Sequence, residues 1–133
     1  TIAGYEVLAM CMFSDDVLVG GGYTLSEDFV NSNRYLEAYD RFAELLEEKY
    51  GPPLFNRNAW KGGSLYKESP EYWGLAVSLG YLERMADWET LETRIVLWLK
   101  GENFEVNLYL GYYSRAHQSQ VQEKRAAETE SKL

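Results

Sequence analysis

The chain has 133 residues, 46% hydrophobic and 15% aromatic, which is enough to bury the core of one domain and too apolar for an intrinsically disordered chain. Twenty-one acidic against 13 basic residues leave a formal charge of -8, and an acidic surface repels phosphate, which sets aside nucleic acid and anionic lipid as general partners. The single cysteine, Cys11, excludes an intrachain disulfide framework and a cysteine-based structural zinc site. No transmembrane run or signal peptide is present, so no direct membrane insertion of this segment is expected.

In chain order, Tyr5, Val7, Ala9, Cys11 and Phe13 alternate with Glu6, Leu8, Met10 and Met12. Both sets are largely apolar, which predicts a strand that is central or covered on both faces. Ser14-Asp15-Asp16 supplies turn chemistry, and Val17 to Leu25 returns as the second strand of an antiparallel hairpin. Gly20-Gly21-Gly22 lies inside that strand and lacks the Gly-Lys-Ser/Thr of a phosphate loop. It reads as a bulge or a close backbone approach. Ser26 looks like an N-cap followed by Glu27 and Asp28, predicting a helix over 26–50 with Phe29, Leu36, Tyr39, Ala43, Leu46 and Tyr50 on one stripe. Gly51 and Pro52-Pro53 end it.

Residues 54–73 have no clear periodicity and read as a long loop bearing Phe55, Trp60, Tyr66, Tyr72 and Trp73 among Arg57, Lys61 and Lys67. A third strand is predicted from Gly74 to Arg84, continuing to Trp88. Thr93, Ile95, Leu97 and Leu99 begin the last hairpin, with a turn at Gly101-Glu102-Asn103 and a return face of Phe104, Val106, Leu108, Leu110 and Tyr112. From Ala116 to Leu133 large apolar side chains nearly vanish, and the segment reads as a polar C-terminal helix or tail following a single 1–115 domain. The fold expected is therefore α+β: an antiparallel sheet of about five strands in β-β-α-β-β-β order, with one long amphipathic helix on a face.

Chemistry is sparsely marked. The sole histidine, His117, falls in the polar tail and reads as a solvated residue. Asp15-Asp16 is a turn pair without the spacing of a calcium loop. Glu89 and Glu92 near Trp88 are the carboxylates to inspect first, and Trp88 and Trp98 read as core or sheet-face packing. No catalytic residue, metal ligand or cofactor is assigned, and the protein is read as a non-enzyme. The terminal Ser131-Lys132-Leu133 matches a peroxisomal address and is read as coincidence.

Lys49-Tyr50-Gly51-Pro52-Pro53, Trp60, Ser64-Leu65-Tyr66-Lys67, Pro70-Glu71-Tyr72-Trp73-Gly74 and Ala76-Val77-Ser78-Leu79-Gly80-Tyr81-Leu82 form a set of motifs. They continue in Trp88-Glu89-Thr90, Thr93-Arg94-Ile95 and Gly101-Glu102-Asn103-Phe104-Glu105-Val106, with Phe13 to Val19 as an early hairpin. Together, over about residues 3–115, they resemble a bacterial family of unassigned function common in gut Firmicutes. Its members carry an upstream segment with a tryptophan-glycine-methionine motif, sometimes behind an export or lipoprotein-type signal. The resemblance implies that this chain is the C-terminal part of a longer protein and favours an envelope or exported location over the cytoplasm. It brings no catalytic residues. The family's upstream part is similar, at fold level only, to small envelope assembly lipoproteins and beta-lactamase-inhibitor-like domains.

The function expected is that of a partner-binding domain of an exported or envelope protein, with Trp60, Tyr66, Tyr72 and Trp73 in loop 54–73 as its binding residues. One alternative is a small-ligand or glycan-binding module that stacks its ligand on the same rings. Another is a cytoplasmic secretion-chaperone-like dimer.

Overall fold

A computed structural model describes residues 1–62 and 64–117. It is α+β, with an antiparallel sheet of six strands and two helices packed on one face. Strands β1 (Val7–Ser14) and β2 (Val17–Leu25) form the expected hairpin. Asp15 and Asp16 both take left-handed φ, the mirror-image turn whose twist suits two-residue hairpins. Helix α1 (Asn33–Tyr50) follows, then β3 (Phe55–Trp60), a short helix α2 (Ser64–Lys67), a 3-10 turn (Pro70–Tyr72) and α3 (Trp73–Ser78). Strands β4 (Leu82–Glu89), β5 (Thr93–Glu102) and β6 (Glu105–Ser114) complete the sheet, in the spatial order β1-β2-β6-β5-β4-β3.

The period-2 pattern of the last hairpin sorts its side chains as expected. Ile95, Leu97 and Leu99 of β5 and Leu108 and Leu110 of β6 are buried against Tyr35, Tyr39, Phe42 and Leu46 of α1. The opposite sheet face carries a smaller cluster of Val19 and Tyr113, flanked by Met12, Val96 and Tyr109. The glycine run is a close backbone approach: a Cβ on Gly20 would sit 2.7 Å from the Tyr112 carbonyl oxygen, and one on Gly22 2.5 Å from that of Leu110. The β1–β2 register also shifts between Met12 and Phe13.

Several expectations are corrected. The sheet has six strands instead of five, because Phe55–Trp60 pairs with β4 as an edge strand. Its alternation goes unnoticed because an edge strand tolerates Asn56, Arg57 and Asn58 in the open. Residues 74–78 are helical instead of extended; a short apolar run has no period that separates the two. Ser26 is no N-cap: its N–H donates to the Glu6 carbonyl at 2.9 Å, extending the β1–β2 ladder, and α1 begins at Asn33 after Ser32. β1 lies at an edge of the sheet and is largely exposed, where a central or doubly covered strand was expected. The last turn is Asn103-Phe104, both with left-handed φ, which leaves Phe104 in solvent and Gly101 and Glu102 inside β5. Residues 115–117 form a 3-10 turn, and the polar helix expected over 116–133 lies, from residue 118, outside the described residues.

Candidate functional site

The four aromatics singled out in the sequence come together at one end of the sheet. Trp60 closes β3 opposite Leu82, on the face that carries the core. The chain then leaves the sheet, with Lys61 N–H donating to the Tyr81 carbonyl at 2.7 Å. Helix α2 is a single turn, too short to hold itself. Its carbonyls are satisfied from outside: the Trp73 indole Nε1 donates to Tyr66 O at 3.1 Å and to Lys67 O at 3.2 Å. Pro70 sets the first residue of the 3-10 turn that leads into α3.

This path stacks the rings on one another. Trp60 meets Trp73 edge to face at 5.8 Å, Tyr66 meets Tyr72 at 6.3 Å, and Tyr66 lies nearly parallel to Tyr81 at 6.2 Å. Trp60, Tyr66 and Trp73 are half-buried against the core. Tyr72 is 51% exposed, and next to Tyr66 in the chain Leu65 is 88% exposed. Leu75 and Tyr81 are also open by more than a third. Sequence reasoning missed Leu65, Leu75 and Tyr81, the last two because both fall inside the strand expected from Gly74 to Arg84. The connection is clasped to α1 by Asn33, whose Nδ2 donates to Glu71 O at 2.9 Å while its Oδ1 accepts from Gly74 N–H at 2.8 Å. Trp60, Trp73 and Tyr66 thus pack against the core, with the more open Tyr72 and Tyr81 in ring contact with Tyr66.

Other candidates have structural partners. Trp88 is buried and donates through Nε1 to Gly51 O at 2.9 Å, which ties β4 to the end of α1. Trp98 lies on the opposite sheet face, donating to Glu83 Oε2 at 3.2 Å beneath the Lys100 ammonium, 4.2 Å from its ring centroid. Glu89 and Glu92 are both exposed at the β4–β5 turn, where Arg115 approaches Glu89 to 3.9 Å and donates its N–H to Glu92 O. The His117 side chain lies outside the described residues. Burial raises two phenols: Tyr112 is pushed up to about 12, reinforced by Tyr50 and Tyr23, and Tyr39 is raised further, against the opposing pull of Arg84. Neither belongs to the ring cluster.

Among the described residues, no three His, Cys, Asp or Glu side chains are grouped as metal ligands would be, and no helix is long and apolar enough to cross a membrane. A polar cleft of about 650 Å³ is lined by Lys61, Glu83, Lys100, Glu102 and Asn107 among others. Among the described residues, this cleft and three others are lined by residues other than Trp60, Tyr66, Tyr72 and Trp73. Comparison with protein-family models, curated proteins and solved structures finds no match to this chain.

Proposed function

We propose that the protein is a partner-binding domain whose contact surface is the aromatic connection between β3 and β4, with the motif resemblance favouring an exported or envelope-located bacterial protein. The observation that supports this most directly is the ring chain Tyr72–Tyr66–Tyr81 with Leu65 exposed beside it, on a base held by Trp73 and Asn33. Tyrosines on a fixed base are efficient contact residues because little conformational freedom is lost when a partner covers them. Lys61, Lys67, Glu68 and Glu71, exposed in the same connection, carry both signs of charge, in keeping with the polar rim of a protein interface. The glycan-binding alternative needs two of the rings in one cleft with polar groups at its edge. The four clefts described above are lined by other residues, and the exposed rings among charges of both signs favour protein as the partner.

The binding residues divide by role. Leu65, Tyr72 and Tyr81 make contact, and Trp60, Tyr66 and Trp73 position them. Replacing Trp60 or Tyr66 by alanine therefore disturbs the base as well as the surface, and Leu65→Asp with Tyr72→Ala is the cleaner perturbation. A photo-crosslinking amino acid in place of Tyr72 should capture a discrete partner in extracts of the native host, competed by excess wild-type domain and not by the Leu65→Asp/Tyr72→Ala variant. Equal competition by the two, with their melting temperatures matched, would remove the patch as the contact surface.

A further inference from the structure

Helix α1 packs over β5 and β6. Between the flank of its second half and the neighbouring strands lies a cavity of about 240 Å³. α1 contributes Phe42, Leu45, Leu46 and Lys49, which share one stripe about two turns, or ~10 Å, long. The sheet contributes Leu110 of β6, with Tyr23 of β2 and Tyr112 of β6 edge to face at 6.4 Å. Ile2 completes the wall, held in place by reciprocal backbone bonds to Tyr5 at 2.9 and 2.8 Å.

Size and lining narrow what this cavity takes. Its volume is that of about eight waters in the liquid, above a packing void and below a drug-sized site, so a peptide or an oligosaccharide is too large. The lining is apolar or aromatic except for Lys49, which asks for an apolar body. Lys49 is exposed, and among the described residues its ammonium pairs with no carboxylate; it stands 5.3 Å from the Tyr50 ring centroid. The hydroxyls of Tyr23, Tyr50 and Tyr112 likewise make no hydrogen bond to the described residues. They lie near enough to one another for Tyr50 and Tyr23 to reinforce the raised Tyr112 phenol. One ammonium and a group of phenol donors suit a single anionic head.

We infer that the cavity binds a medium-chain fatty acid, with the carboxylate at the Lys49 ammonium and the hydrocarbon running along Leu46 and Leu110 toward Phe42. The alternatives fit less of the lining. A neutral hydrocarbon leaves the lysine unused, an organic cation meets a like charge, and a phosphate ester sets about two charges against one ammonium and apolar walls. The overall charge of -8 acts on an approaching anion through screening solvent, and the carboxylates beside Lys49 in the chain, Glu47 and Glu48, are exposed and outside the lining. This site is separate from the aromatic connection, and either can fail without the other.

Isothermal titration calorimetry of the full chain with octanoate, kept below its micellar concentration, should show a single site with Kd on the order of 0.1 mM. 1-Octanol and octylammonium, of the same chain length, should bind about tenfold more weakly or worse. Lys49→Met keeps an apolar stem at an exposed position and should weaken octanoate about tenfold while leaving octanol unchanged. That change in the octanoate-to-octanol ratio is read on one protein, so it needs no correction for stability. Leu45→Trp, at a half-buried position of the wall, fills the cavity and should abolish binding of both, with its melting temperature as the check on folding. No octanoate binding up to about 5 mM overturns the site. Equal affinity for octanoate and octanol, or an octanoate affinity unmoved by Lys49→Met, overturns the carboxylate assignment. Binding that survives in a folded Leu45→Trp protein puts the ligand elsewhere and overturns the cavity.

Discussion

Gly74→Ala tests how the aromatic connection is held. Gly74 is the second residue of α3 and has no left-handed φ, so helix propensity alone would make alanine better by up to about 1 kcal/mol. Packing opposes this. A Cβ at position 74 would lie 2.5 Å from the Ser32 carbonyl carbon and 2.6 Å from Asn33 Oδ1, and closer still to Asn33 N. Two of these atoms are backbone at the start of α1, so relief requires the two helix ends to part by roughly an ångström. Overpacking of that kind costs about 1–3 kcal/mol. The movement also stretches the Gly74 N–H to Asn33 and Asn33 to Glu71 hydrogen bonds, about 1 kcal/mol each. The net expectation is a loss of about 2–3 kcal/mol, roughly a 10 °C drop in melting temperature for a chain of this size. Thermal unfolding followed by far-UV circular dichroism reads the loss, and the near-UV spectrum should change as well because Tyr72 and Trp73 directly precede the strained residue. Asn33→Ala, which removes the two bonds and leaves room, should cost less than Gly74→Ala. A Gly74→Ala protein as stable as wild type, or more so, refutes the close-contact account.

Three further outcomes follow from the packing. Trp88→Phe removes the bond to Gly51 O and leaves a void beside α1, and urea unfolding should register a loss of about 2–3 kcal/mol. Asp87, buried on the open sheet face, accepts from Arg94 Nε at 3.1 Å and Nη2 at 2.7 Å. Asp87→Asn should cost about 1–2 kcal/mol, and the apolar pair Asp87→Leu/Arg94→Met should recover most of it in the same assay. The raised phenols give alkaline instability: an unfolded tyrosine ionises near 10 while Tyr112 holds its proton to about 12, so stability is intact below pH 10 and falls as pH rises toward 12. Urea midpoints unchanged across that window would contradict the burial of Tyr112.

What could be read from sequence divides along physical lines. The amphipathic stripe of α1 and its Gly51-Pro52-Pro53 stop were legible because period and termination agree, and the β5–β6 hairpin because one face alone is apolar. The start of α1 was obscured by Ser26-Glu27-Asp28, which imitates a cap while its backbone continues a ladder. β1 looked interior because both its faces are apolar. Its edge position is set by β2, not β1, pairing with β6, a long-range fact that no local pattern carries. Composition pointed to the four aromatics of the candidate site, but their ring contacts depend on α3 being helical, and with 74–84 read as strand Tyr81 had no place among them.

The strand order has a consequence for synthesis of the chain. The β1–β2 hairpin is made early, yet among the described residues it joins the sheet through β6, which includes residues 105–114. Until those residues have left the ribosome, the β2 edge of the hairpin has no strand to pair with. Late closure of so distant a pairing is slow by topology, and an exposed apolar hairpin invites association with its neighbours meanwhile. The acidic residues of the Asp15-Asp16 turn and of α1 thus matter before folding ends, since mutual repulsion between nascent chains protects a strand that has no charge of its own between Val7 and Ser14.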